Sequence, residues 1–146
     1  MADVFCGIDI GTSSSKGVLV TADGEVVARA SRAHDTATPR PGWVEHDAED
    51  VWWADFLALT GELTATGHRI AGLAVSGIGP VLLPADATGT PLRPAILYGV
   101  DTRAGAEIAE LTGELGAEEI LRRGGTPLSS QAVGPKLRWL ARHEPD

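Results

Sequence analysis

Gly7-Ile8-Asp9-Ile10-Gly11-Thr12-Ser13-Ser14-Ser15-Lys16-Gly17-Val18-Leu19-Val20 decides the fold. An apolar run enters a polar turn, and a second apolar run leaves it. The segment therefore predicts a hairpin of two strands, residues 4–10 and 16–21. The turn carries Asp9, the glycines Gly11 and Gly17, the hydroxyls of Thr12, Ser13, Ser14 and Ser15, and Lys16. Glycine lets a ligand approach the backbone. Successive N–H groups in a turn form an anion-binding concavity, hydroxyls add hydrogen bonds, and a lysine adds a point charge. An aspartate at a strand end suits Mg²⁺. A passive hairpin has much the same composition. Two charges distinguish this one: Asp9 between two isoleucines, and Lys16 where the chain re-enters an apolar strand. The pattern is neither a Walker A loop nor a dinucleotide fingerprint, because it leads into a strand and not a helix.

The 146 residues amount to one domain or a piece of one, and a 43% apolar share suffices for a core. A net charge of −8 argues against a non-specific nucleic-acid binder, which would present a basic surface. No apolar run is long enough to span a bilayer, and no signal peptide is expected before the first strand. The one cysteine, Cys6, permits no internal disulfide framework and sits within a predicted strand. His34, His46, His68 and His143 lack ligand spacing. These features point to a cytoplasmic chain.

Further along, Asp23-Gly24 signals a second hairpin leading to a strand over 25–33. A polar loop runs to His46. Asp47, with Asp50 three residues on, resembles a capping box for a helix to about Gly67, whose apolar face is Trp52, Phe56, Leu59 and Leu63. Strands are predicted over 69–76 and 81–84, a turn over 86–90 and an extended piece over 94–98. Helices follow over 101–111 and 117–123, the latter closed by Gly124-Gly125, and from Pro135 to about 142. The order is an antiparallel β-meander, a crossover helix and a parallel fourth strand. That is an α/β, ribonuclease-H-like (actin-like ATPase) arrangement with flanking helices. Ligands collect at strand ends of such sheets, which draws attention to the Asp9–Lys16 and Ser76–Pro80 turns.

Four stretches resemble the N-terminal portion of an FGGY-family carbohydrate kinase of xylulokinase-like style. The first is Gly7 to Lys16. The second is Pro41-Gly42-Trp43-Val44-Glu45-His46-Asp47 with Trp52-Trp53. The third is Pro91-Leu92-Arg93-Pro94-Ala95-Ile96-Leu97-Tyr98, running to Asp101-Thr102-Arg103. The fourth is Pro135-Lys136-Leu137-Arg138-Trp139-Leu140 with His143-Glu144-Pro145. The first alone would suggest only the wider actin, Hsp70 and sugar-kinase superfamily; four in order are specific.

The resemblance implies a partial domain over residues 1–146 of an enzyme that phosphorylates a sugar or polyol with ATP and Mg²⁺. It implies that Asp9 faces the metal, that Gly11, Thr12, Ser13 and Ser14 approach the phosphate tail, and that Lys16 adds charge. It implies a sugar pocket bordered by Gly77, Ile78, Gly79, Tyr98 and Asp101, with Arg103 paired to a carboxylate and the four tryptophans packing the domain. The catalytic aspartate, the adenosine motif and the second domain of such kinases fall after residue 146, so the isolated chain is expected to be inactive, and either to self-associate through exposed sheet or cleft surface or to be only marginally stable. Gly77-Ile78-Gly79-Pro80 stands where xylulokinases carry Gln-Met-His, which removes the polar readers of a pentulose. Tyr98-Gly99-Val100-Asp101 stands for a Trp-Asn-Asp stretch and is one residue longer. The alternative is a non-catalytic binding or assembly module that reuses a kinase half-domain.

Overall fold

Alternation of apolar and small or polar residues builds the first strands, and helical periodicity builds what covers them. In chain order the elements are β1 (Asp3–Ile10), β2 (Ser14–Thr21), β3 (Val26–Ala33), β4 (Glu45–His46), a π-helical turn (Ala48–Trp53) continuing into α1 (Ala54–Thr64), β5 (Arg69–Gly77), β6 (Ala95–Ile96), α2 (Gly105–Leu115), α3 (Ala117–Gly124) and α4 (Val133–His143). The structure is a computed structural model and describes residues 3–145. Those residues form two compact units, 3–36 with 47–78, and 37–46 with 79–145.

In the first unit, β1 turns Val4, Cys6, Ile8 and Ile10 to one face and Phe5, Gly7 and Asp9 to the other. The sheet order is β3-β2-β1-β5. β2 is antiparallel to β1 and to β3, while β5 is parallel to β1. This is the predicted meander with its parallel fourth strand. Asp47 Oδ1 accepts from the N–H groups of Glu49 and Asp50 at 2.9 Å each, so the predicted cap forms. Leu59 and Leu63 of α1 are buried against Val4, Cys6, Ile8, Ile10, Leu19 and Ala30, with Trp52 and Phe56 packed beside them. α1 lies over β1, β2 and β3. Leu73 and Val75 of β5, register partners of Cys6 and Ile8, share that face yet stay 49% and 54% exposed.

In the second unit, β4 pairs antiparallel with β6. Leu82, Ile96, Ala104 and Trp139 form the apolar centre, joined by Trp43, Val133 and Leu140. The strand predicted over 81–84 is reduced to the single bridge Leu82–Ile96. Pro80 and Pro84 flank it and have no N–H to extend a ladder. The helix predicted from residue 101 begins at Gly105. Asp101 is instead tied back by the Arg103 side chain and the Val44 N–H, which holds 101–104 in a turn. α3 matches its prediction, and Gly125 closes it at a φ of 71°, a left-handed conformation suited to glycine.

Candidate functional site

β1 carries Asp9 to its C-terminal end on the face away from α1. The registers set Lys16 and Ser76 on either side of it, on that same face. Asp9 is exposed. Its Oδ1 accepts from Ser76 Oγ at 2.6 Å, and its Oδ2 has no partner among the described residues. Lys16 is exposed and forms no ion pair among the described residues, although its register partner is a carboxylate. Gly7, Ile8, Asp9, Lys16, Val18, Ala74, Val75 and Ser76 line an open hollow of about 350 Å³.

The turn beyond Asp9 is closed by a hydrogen bond from Gly11 N–H to Ser14 O at 3.1 Å. A Cβ on Gly11 would stand 2.7 Å from Ser14 O and 3.8 Å from Asp9 Oδ2, so this tight turn needs a glycine there. Thr12 and Ser13 lie outside both strands, and their N–H groups enter neither ladder. Ser15 faces the other way: its hydroxyl is fully buried on the α1 side and cannot reach the lip.

Behind the turn stands His34, which the sequence set apart only as an isolated histidine. Its Nδ1 lies 2.8 Å from Asp55 Oδ2 on α1, and its Nε2 lies 3.0 Å from Gly11 O. The His34 N–H also donates to Ser13 O at 3.1 Å. No sequence signal marks this contact, because the partners lie 21 and 23 residues away.

Of the residues that the resemblance assigned to a sugar pocket, Gly77 and Ile78 lie in the first unit. They follow Ser76 at the end of β5, and Ile78 N–H donates to Ile10 O at 2.8 Å. With Ile10, Trp52, Val75 and Ser76 they line an apolar hollow of about 240 Å³. Gly79, Tyr98 and Asp101 lie in the second unit. Asp101 departs from its expectation. Its side chain is fully buried, and both oxygens accept hydrogen bonds from Arg103, Oδ2 also from Val44 N–H at 2.7 Å. A carboxylate so enclosed holds the fold and offers no face to a sugar hydroxyl.

Residues from the other three family-like stretches converge in the second unit on one buried cation. Arg103 lies over Trp43 at 4.1 Å and beside Trp139 at 5.1 Å, and it pairs with Asp101 at 2.7 Å and Glu45 at 2.8 Å. Arg93 pairs with Glu45 and, at 2.9 Å, with Glu144. Lys136 is buried and donates to Leu97 O and Ser130 O at 2.7 Å each. Burial pushes its ammonium below the ordinary lysine range, against the pull of Asp101. Trp43 and Trp139 thus pack the domain as expected. Trp53 does not: it is 51% exposed and stacks on Phe56 at 5.2 Å.

Residues 4–146 match the family described as the FGGY family of carbohydrate kinases, N-terminal domain. A glycerol kinase of Nocardia farcinica is 38% identical over all of this chain and 30% of its own length. A xylulose kinase of Staphylococcus xylosus is 36% identical over 96% of this chain and 29% of its own. The crystal structure of xylulose kinase from Rhodospirillum rubrum superposes with a TM-score of 0.91 at 40% identity, covering 97% of this chain and 30% of that one. The chain therefore spans about 30% of the length of the relatives it matches.

Proposed function

The chain belongs to the FGGY family of carbohydrate kinases, and on that premise we propose that it is the N-terminal part of an ATP-dependent kinase that transfers the γ-phosphoryl group of ATP to a hydroxyl of a sugar or polyol. The observation that carries this reading is the lip on the first unit. An exposed Asp9, one of whose oxygens has no partner among the described residues, stands beside a glycine-tight, hydroxyl-rich turn, with Lys16, in no ion pair among those residues, across from it. That donor set fits a phosphate tail and its metal. ATP with Mg²⁺ would bring the transferable phosphoryl group and the charge that activates it.

The chain's own residues divide the work. Asp9 holds the metal, directly or through its water shell. Thr12, Ser13 and Ser14 present donors to phosphate oxygens, and Gly11, its N–H held by Ser14 O, keeps the turn tight and open to their approach. Lys16 supplies a compact positive charge. Ser76 orients Asp9 through its 2.6 Å hydrogen bond. On the first unit Gly77 and Ile78 border the acceptor; Asp101 is left out because its carboxylate is enclosed. With Gly77-Ile78-Gly79 supplying no polar side chain, the hydroxyl readers come from other segments.

Residues 1–146 form part of the first kinase domain. In this scheme the base that takes the acceptor's proton and the adenosine contacts come from the part of the relatives' length that this chain does not span. The compartment is the cytoplasm, where ATP is held. Neither nucleic acid nor membrane is a partner in this scheme. No helix among the described residues is long and apolar enough to cross a membrane. The exposed Leu73 and Val75 of β5 offer an association surface for a second copy.

Titration of the chain with Mg²⁺-ATP, followed by backbone NMR, tests the proposal. Shifts concentrated at residues 9–16 and 76, weakened at least tenfold by Asp9→Asn, are expected. Shifts confined to other residues, or unaffected by Asp9→Asn, would refute it.

A further inference from the structure

We propose that His34, with hydrogen on both ring nitrogens, is a positioning residue that fixes the Gly11–Ser14 turn against α1. The role assigned to that turn rests on the phosphate-lip reading; the clamp itself does not. Its two contacts have the same polarity. Asp55 Oδ2, 2.8 Å from Nδ1, belongs to a carboxylate, and Gly11 O, 3.0 Å from Nε2, is a backbone carbonyl. Neither oxygen can donate. A neutral imidazole has one N–H and one lone pair. In this position it would turn a lone pair on an oxygen at hydrogen-bond distance. Both contacts are hydrogen bonds together only when each nitrogen donates, and the carboxylate of Asp55 balances the charge that results.

The setting suits a clamp. The His34 side chain is 8% exposed and that of Asp55 is 14% exposed, so water competes little for either. His34 is held at both levels, because its own N–H donates to Ser13 O at 3.1 Å. One residue at the end of β3 thereby ties two carbonyls of the turn to the first turn of α1. The neighbouring charges are otherwise engaged or turned away: Arg32 pairs with Glu62 at 2.7 Å, and Asp9 and Lys16 stand on the opposite face of the sheet. On the phosphate-lip reading the same turn offers the Thr12 and Ser13 donors. Holding Gly11 O in a hydrogen bond to the ring keeps that carbonyl from turning toward an incoming anion. That orientation is what an anion-binding concavity requires.

Three measurements on the 146-residue chain test the clamp. Long-range ¹H–¹⁵N correlation of the His34 ring is expected to show two protonated nitrogens. A ring with one N–H overturns the proposal. His34→Ala is expected to raise hydrogen exchange of the Gly11 amide about tenfold, as the loss of two hydrogen bonds donated by a charged ring implies, while the slowest β1 amides keep their protection. Unchanged Gly11 exchange in the folded variant overturns it too. Should His34→Ala fail to fold, Asp55→Asn serves. An asparagine amide can donate to Nδ1, so a singly protonated ring that still donates to Gly11 O is expected, with the turn intact. Persistence of two protonated nitrogens in that variant overturns the argument. Mg²⁺-ATP added to the same samples separates the two claims. A clamp confirmed by ring and exchange data in a chain whose lip ignores ATP would sink the phosphate reading and leave the clamp standing.

Discussion

Gly17→Ala should destabilise the first unit, for a reason unrelated to ligand approach. Gly17 lies on β2 facing α1, the side opposite Asp9 and Lys16. A Cβ there would stand 2.8 Å from Leu63 Cδ1, 3.0 Å from Ile8 Cδ1 and 3.7 Å from Leu59 Cβ. Carbon atoms rest at about 3.5–4.0 Å, so the first contact is short by roughly 0.7 Å. The two methyls belong to side chains only 1% and 2% exposed, and neither can swing into solvent. Overpacking of this kind costs about 1–3 kcal/mol. Removing a strand glycine returns about 0.5–1 kcal/mol through the unfolded chain. The net expectation is a loss of about 1–2 kcal/mol. Because the chain has two compact units, a single melting curve is a poor reporter. Native-state hydrogen exchange of the slowest β1 and β2 amides reads this unit alone and should accelerate roughly 5–30-fold. Leu63→Ala removes the obstructing methyl. In that background Gly17→Ala should be neutral or stabilising, a coupling of roughly 1–3 kcal/mol. Equal costs in both backgrounds, or a wild-type-like exchange rate with weakened ATP binding, would refute the packing account and return Gly17 to the lip.

Arg103→Lys should cost the second unit about 2–4 kcal/mol. One ammonium can neither span Asp101 and Glu45 nor lie flat on Trp43, and it leaves a buried carboxylate under-paired. A change under about 0.5 kcal/mol in the urea unfolding of this unit, on the same reasoning, would count against the role given to the cation. Lys136 carries a pH prediction. Its folded value is lowered by burial, so between that value and the ordinary lysine value the unfolded chain binds more protons. Stability contributed by this group therefore rises with pH across that window. Lys136→Met should flatten the rise relative to the parent chain, and parallel alkaline stability curves would contradict it. Leu73→Lys with Val75→Lys should shift sedimentation toward the monomer if the uncovered part of β5 mediates association. A parent chain already monomeric at 100 μM, a concentration on the order of those at which weak exposed-patch contacts appear, would rule that surface out.

The hairpin, the meander, the capped crossover helix and the parallel strand were legible because each rests on local rules: alternation, turn residues, an N-cap and helical periodicity. Asp9 and Lys16 stood out for the same reason, as charges where a strand should be apolar, and Gly11 as a glycine in the turn between them. Residues 81–84 and the start of α2 misled, since Pro84 denies a ladder and Asp101 is drawn back by Arg103. Near neighbours along the chain thus determined which segments are strands and helices, and which turn carries charge. Tertiary structure alone decided the use of the rest. It placed Gly17 under Leu63, enclosed Asp101 with Arg103 between two tryptophans, and set His34 between Asp55 and Gly11 O. Apart from the Asp101–Arg103 pair itself, those outcomes are set by contacts between residues 21 to 60 positions apart, where spacing carries no periodic signal and only the packed chain brings the groups within reach.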